Sequence, residues 1–211
     1  QYCTFIKKHF DLDLADICFT ANTGRSDFNY RLAVVTPSLM ELQQKLTGFL
    51  TQKYPDNLWV GQVRRNHTLK LAFFFGQRMT PDWEQASFLY QTQGFFKQIV
   101  DECQQIILSN LKINLGNFFA RRNHQDHELR LIFFTLEYAL CNLLKSWGII
   151  PTVVIGNDVG KWVAATVAGV ITLTDALRGV IGQGKPNAIT YFPAKIPILS
   201  LSLIHISEPT R

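Results

Sequence analysis

Thr152-Val153-Val154-Ile155-Gly156-Asn157-Asp158-Val159-Gly160-Lys161 is the stretch on which the fold turns. Residues 152–155 are β-branched and apolar, the composition of a short buried strand. Residues 156–160 make a turn with glycine at both ends, and 161–169 is a run rich in small residues that reads as a helix. A sharp strand-to-helix turn of the form small-x-residue-x-small exposes its central side chain at the helix start. There, backbone N–H groups and the helix dipole can stabilise an oxyanion. Asp158 is the central residue of this turn. On spacing alone, a nucleophile-bearing elbow and a plain glycine-rich turn both remain open.

Outward from the turn, residues 129–147 read as a helix with Phe133, Leu136, Leu140 and Leu143/Leu144 on one side, and 87–111 as a long helical tract. Residues 69–75 are short and strongly apolar, the signature of a central strand. Strands and helices alternating at this spacing predict a parallel sheet covered on both faces. Asn66-His67-Thr68 is a polar break, and before it lies a smaller α/β unit. Its helices are expected over 2–9, 12–22 and 39–52, with Gly24 stopping the second and Pro37-Ser38 opening the third. Its strands are a buried one within 31–36 and a second over 57–63.

The 211 residues are 47% hydrophobic and 18% charged, as in an ordinary globular protein. No apolar run approaches the roughly 18–20 residues of a spanning helix, so no membrane is expected and a soluble, cytoplasmic protein is. The net charge of +5 is scattered, without a basic stripe interleaved with aromatics, which argues against nucleic acid. Cys3, Cys18, Cys103 and Cys141 lack metal or redox spacing and read as reduced, mostly buried thiols. His124, Asp126, His127 and Glu128 lie in a polar run, 121–128, that reads as a solvated loop rather than a metal site. Gln1 leads the chain, which is taken to begin inside a longer one. The terminus, Leu-Ser-Leu-Ile-His-Ile-Ser-Glu-Pro-Thr-Arg at 201–211, is identified as a translated transposase-type sequencing adapter. It is excluded from fold reasoning, and the gene is expected to continue past Ser200.

Residues 156–178 resemble the Gly-His-Ser-x-Gly-Glu region of malonyl-CoA:carrier-protein transacylases, above all their form inside modular polyketide synthases. The resemblance extends upstream. Phe134, Leu136-Glu137-Tyr138-Ala139-Leu140 and Ser146-Trp147-Gly148-Ile149 resemble the helix and loop before the nucleophile. Residues 70–77 resemble the first strand and its glycine-glutamine loop. Leu14-Ala15-Asp16-Ile17, Thr20-Ala21-Asn22, Gly24-Arg25-Ser26 and Arg31-Leu32-Ala33-Val34-Val35 resemble the ketosynthase-to-acyltransferase linker. The likeness thus covers nearly everything to about Gly184. It implies an α/β fold, a small α/β linker unit over 1–65 followed by a truncated, α/β-hydrolase-like parallel-sheet acyltransferase subdomain over 66–200, with 201–211 as the tail.

In that family an elbow serine attacks an acyl-CoA thioester, a distant downstream histidine is the base, and backbone N–H groups hold the oxyanion. The acyl group, malonyl or related, passes to the phosphopantetheine arm of an acyl carrier protein, beside a ketosynthase in the same synthase. No permanently bound cofactor is implied; malonyl-CoA or another acyl-CoA is substrate. Transferred to this chain, the oxyanion donors are the N–H groups of Gln77 and Val159. Asp158 stands at the serine position, Asn157 at the histidine beside it, Lys161 at the glutamate and Gln183 at the arginine that grips the malonyl carboxylate. Arg78 replaces the second loop glycine. The base histidine and a small ferredoxin-like subdomain lie beyond the matching stretch. Scaffold positions match while chemistry positions do not, which is the pattern of a decayed or repurposed acyltransferase. The alternatives are an α/β-hydrolase-like enzyme using Asp158 as nucleophile, and a generic α/β binding module.

Overall fold

The structure is a computed structural model that describes residues 2–9, 11–26, 28–63, 70–76, 81–121, 123–182 and 189–200. It divides into two compact units, Gln1–Leu69 and Lys70–Arg211. The first holds α1 (Tyr2–Lys8), α2 (Leu14–Thr23), β1 (Tyr30–Val34), α3 (Leu39–Leu50) and β2 (Leu58–Gln62). The helix starts are satisfied locally: Asp13 accepts from the Ala15 N–H at 2.8 Å and Ser38 from the Glu41 N–H at 3.3 Å. Gly24 ends α2, as expected, its N–H donating to the Thr20 carbonyl. β1 and β2 pair antiparallel, with Tyr30 opposite Gln62 and Val34 opposite Leu58. Ile6, Ile17, Leu42 and Leu58 are the buried hydrophobics among the described residues of this unit. The buried Lys45 ammonium donates to the Val35 carbonyl at 2.7 Å and pairs with Glu41 at 2.8 Å, tying α3 to the end of β1.

The second unit holds β3 (Ala72–Gly76), α4 (Trp83–Thr92), α5 (Gly94–Ile106), α6 (Asp126–Ser146), β4 (Val153–Asn157), α7 (Val159–Val167), α8 (Leu173–Val180) and β5 (Ile198–Ser200). The strand order is β3-β4-β5, all parallel, with Ala72 opposite Val153 and Val154 opposite Ile198. Helices fill both crossovers, as parallel neighbours require. This is the α/β class with a parallel sheet that the alternation of elements predicts. Phe96, Val100, Phe118, Leu131, Phe134, Val154, Val159 and Leu177 are among the core residues. No helix among the described residues is long and apolar enough to cross a membrane. Cys103 and Cys141 are buried, which pushes their thiols up to about 12 and about 11, while Cys3 and Cys18 are half-buried.

Several expectations are corrected. The apolar run in 31–36 forms a strand, but four of the five residues of β1 are exposed. Its composition marks the extended backbone without saying what covers it. Among the described residues the parallel sheet is covered unequally: Phe75 and Val154 on one face are buried, whereas on the other Ile155 is half-buried and Phe74 is 58% exposed. The tract 87–111 is not one helix. Gln93 is extended (φ −112°, ψ 96°) and separates α4 from α5, which ends in a π-helical turn, Ile107–Leu111. The break folds α4 back so that the Tyr90 hydroxyl donates to Asp101 at 2.6 Å. In α6 Phe133 and Leu143 are buried, but Leu140 is exposed.

The polar run 121–128 is only in part a solvated loop: Arg121, Asn123 and Gln125 are exposed and lie outside helix and strand. Its last residues open α6, where Glu128 is buried and accepts from the Gln125 N–H at 2.9 Å and from Arg121 Nη2 at 2.6 Å. The His124 side chain is 1% exposed and its ring stacks on Trp83 at 5.3 Å. Glu128, at the third helical position, reaches back to the Gln125 N–H and so satisfies a free donor at the helix start. Residues 201–211, read as adapter, lie outside the described residues.

Candidate functional site

β4 carries its strand conformation to Asn157, and α7 begins at Val159, so the turn between them is the single residue Asp158. Its backbone stands at φ 47°, ψ −117°, a conformation that L residues rarely adopt. The Asp158 carbonyl accepts from the Lys161 N–H at 3.1 Å, closing the first turn of the helix. The flanking glycines explain themselves by packing. A Cβ on Gly156 would lie 2.5 Å from the Gly160 carbonyl oxygen and 2.6 Å from the Lys161 Cα. A Cβ on Gly160 would overlap the carbonyl of Phe75 in β3. The helix therefore sits directly against two strands, and only glycine fits at either point. The spacing that left two readings open is, in three dimensions, a strained elbow.

Asp158 and Asn157 are exposed, and Val159 is buried with its backbone at the start of α7. Gly76 pairs with Asn157 across β3 and β4, so the end of the first strand lies beside the elbow. Gln77 and Gln183 fall outside the described residues.

Two further residues belong to this region. Arg130, in the second turn of α6, places Nη2 3.1 Å from Asp158 Oδ1 and Nη1 3.4 Å from Oδ2. Its Nε donates to the carbonyl of Val180, the last residue of α8, at 3.0 Å. Glu137, two turns further along α6, accepts from the Gly76 N–H at 2.9 Å through Oε1. Its Oε2 is buried without a partner among the described residues. Burial pushes this carboxyl up to about 7, and the Gly76 N–H offsets only part of that. Sequence reasoning assigned neither residue a role. Glu137 had a signal: it is the only charged side chain between Leu131 and Cys141. Arg130 had little, since its partner lies 28 residues away.

Arranged this way, the elbow offers a helix N-terminus, an exposed carboxylate at the apex and a guanidinium that grips it. Such a site can hold charge in place. For Asp158 to attack a carbonyl carbon, it would have to give up its ion pair first.

The family model described as "CurL-like, PKS C-terminal" matches residues 1–46. Orsellinic acid synthase ArmB of Armillaria ostoyae is 31% identical over 172 residues, covering 78% of this chain and 7% of that protein. Orsellinic acid synthase armB of Armillaria mellea is 32% identical over 178 residues, 79% of this chain and 8% of that one. The chain therefore spans less than a tenth of the length of these curated relatives. Among solved structures, the acyl transferase domain of ZmaA superposes with a TM-score of 0.71 at 28% identity, over 85% of this chain and 42% of that one. The acyltransferase domain from the second module of the salinomycin polyketide synthase gives 0.62 at 26% identity, over 82% and 41%. The chain's relatives are polyketide synthases, and its fold is that of their acyltransferase domains.

Proposed function

We propose that this chain is a non-catalytic acyltransferase region of a polyketide synthase, a scaffold between a ketosynthase and a carrier protein bearing a phosphopantetheine arm. In this reading residues 1–65 are the linker, 66–200 belong to the large acyltransferase subdomain and 201–211 are an adapter-derived tail, and the protein is cytoplasmic. The observation that carries it is the Arg130–Asp158 pair, with both guanidinium nitrogens on the carboxylate at the serine position. A carboxylate is a weaker nucleophile toward a thioester than a base-activated serine, and an ion pair lowers its reactivity further. The N–H groups of Gln77 and Val159 remain the assigned oxyanion donors. Asn157 and Gln183 stand where the family binds malonyl-CoA or another acyl-CoA, and position 183 lacks the family's arginine.

The competing reading has Asp158 attack the thioester carbon and expel the CoA thiolate, leaving an acyl–aspartyl anhydride. Intact-protein mass spectrometry after incubation with malonyl-CoA and with acetyl-CoA separates the two. The unmodified mass is expected with both. An acyl adduct mapped to Asp158 would replace the scaffold reading with the nucleophile one.

A further inference from the structure

Arg130 is held from two sides. Nε donates to the Val180 carbonyl at 3.0 Å, a contact that does not involve Asp158. The two terminal nitrogens then point together at one carboxylate, at 3.1 and 3.4 Å. Paired N–H donors on a planar, permanently charged group are the arrangement that recognises carboxylates bidentately. Here part of the ordering cost is already met by the Val180 contact. Asp158 makes no side-chain bond to the start of α7, so its carboxylate is engaged by Arg130 and not by the helix N-terminus. The pair is open to water, the Arg130 side chain being 27% and the Asp158 side chain 47% exposed. An external anion of similar size can reach the same donors.

We propose that Arg130 is a carboxylate-binding residue of the elbow and that Asp158 is its resident, intramolecular occupant. The ligand class is a small carboxylate, including the free carboxylate end of a dicarboxylate-derived acyl group. In the chain as it stands the carboxylate of Asp158 fills the position and excludes such a ligand. With that side chain removed, an external carboxylate takes its place on Nη1 and Nη2. This deepens the reading of the elbow as a site that holds charge rather than transfers an acyl group, and it rests on that reading only for the location.

The test is chemical rescue of binding in the full chain. Malonate is titrated at low ionic strength, in a buffer free of carboxylate and phosphate, into wild type, Asp158→Gly, Asp158→Ala and Asp158→Gly/Arg130→Gln. Binding is read by calorimetry and by the arginine Nε–H resonances in NMR. Saturable binding with Kd on the order of millimolar is expected for Asp158→Gly and Asp158→Ala. It should be at least about tenfold weaker for wild type and for the double variant. Malonamide, which has the shape without the charge, should not bind. Asp158→Gly suits the φ 47° backbone, so it supplies a folded variant even if Asp158→Ala fails to fold. Equal malonate binding by all variants, or none by a folded Asp158→Gly, overturns the proposal. Neither result bears on adduct formation from acyl-CoA, so the two readings fail separately.

Discussion

The backbone N–H of Gly76, at the end of β3, donates to the Glu137 carboxyl of α6 at 2.9 Å. This bond joins β3, beside the elbow, to the middle of α6. It also satisfies only one of the two oxygens of a largely buried acid.

A pH dependence follows. The folded chain holds the Glu137 carboxyl at about 7, against an ordinary 4.5, chiefly through burial. The folded state thus binds this proton more tightly than the unfolded state. The resulting stabilisation is fully present below pH 4.5 and is lost as pH rises through 7. Between those limits the difference is about 3 kcal/mol. Glu137→Gln cannot titrate. Its unfolding free energy relative to wild type should therefore rise by about that amount between pH 4.5 and about pH 8. Urea unfolding of both proteins across this range is the measurement, and a flat difference would mean the carboxyl is well solvated.

The elbow glycines should be intolerant of even one methyl group. Gly156→Ala and Gly160→Ala drive a Cβ into backbone atoms, which cannot rotate away. Each should lose about 2–3 kcal/mol or more of stability. Gly94→Ala is the control, because its Cβ meets nothing within 4 Å. Ala at that helix position should be neutral or stabilising. Thermal unfolding of the three variants tests the helix-on-sheet packing directly.

Backbone strain and the ion pair at Asp158 can be separated by two substitutions. Both Asp158→Gly and Asp158→Ala remove the Arg130 contact, a half-exposed pair that contributes at most about 1 kcal/mol. Only glycine relieves the φ 47° conformation, a strain of about 1–3 kcal/mol for other residues. Asp158→Gly should therefore be the more stable of the two by about 1–2 kcal/mol. Equal stabilities would mean that the elbow is relaxed with aspartate in place.

Much of this arrangement was legible from local patterns, and the failures have a common cause. The strand at Val153–Ile155, the small-residue turn and the helix after it are written in short-range spacing. So are the Ser38 and Gly24 helix ends. What local spacing cannot report is what lies against a face. The apolar β1 is exposed, Phe74 is uncovered, and the polar His124 and Glu128 are buried, each because of residues distant in sequence or packed from another element. The same limit hid the site's charge partner. Asp158 was placed correctly at the turn, but the fork that holds it comes from α6, and nothing in the spacing joins Arg130 to position 158.

Restoring serine at the elbow should not restore acyl transfer. In Asp158→Ser the hydroxyl would stand at the apex, but it needs a group to take its proton, and Arg130, the nearest charged side chain described there, has no acceptor. A positioned base contributes roughly 10²- to 10⁴-fold. Gln183 would still lack the charge that the resemblance places at its position, so a clamp on a malonyl carboxylate would have to come from Arg130, freed of Asp158. The comparison is Asp158→Ser against Asp158→Ser/Gln183→Arg, each in this chain and in one extended by an intact acyltransferase C-terminal half. Radiolabelled malonyl transfer from malonyl-CoA to a carrier protein is the readout. The short chains should both be silent, and the extended double variant should outpace the extended single one. Transfer at an ordinary enzymatic rate by Asp158→Ser in the short chain would mean that a base is already in place at the elbow, and the account of this site as a charge-holding remnant would be wrong.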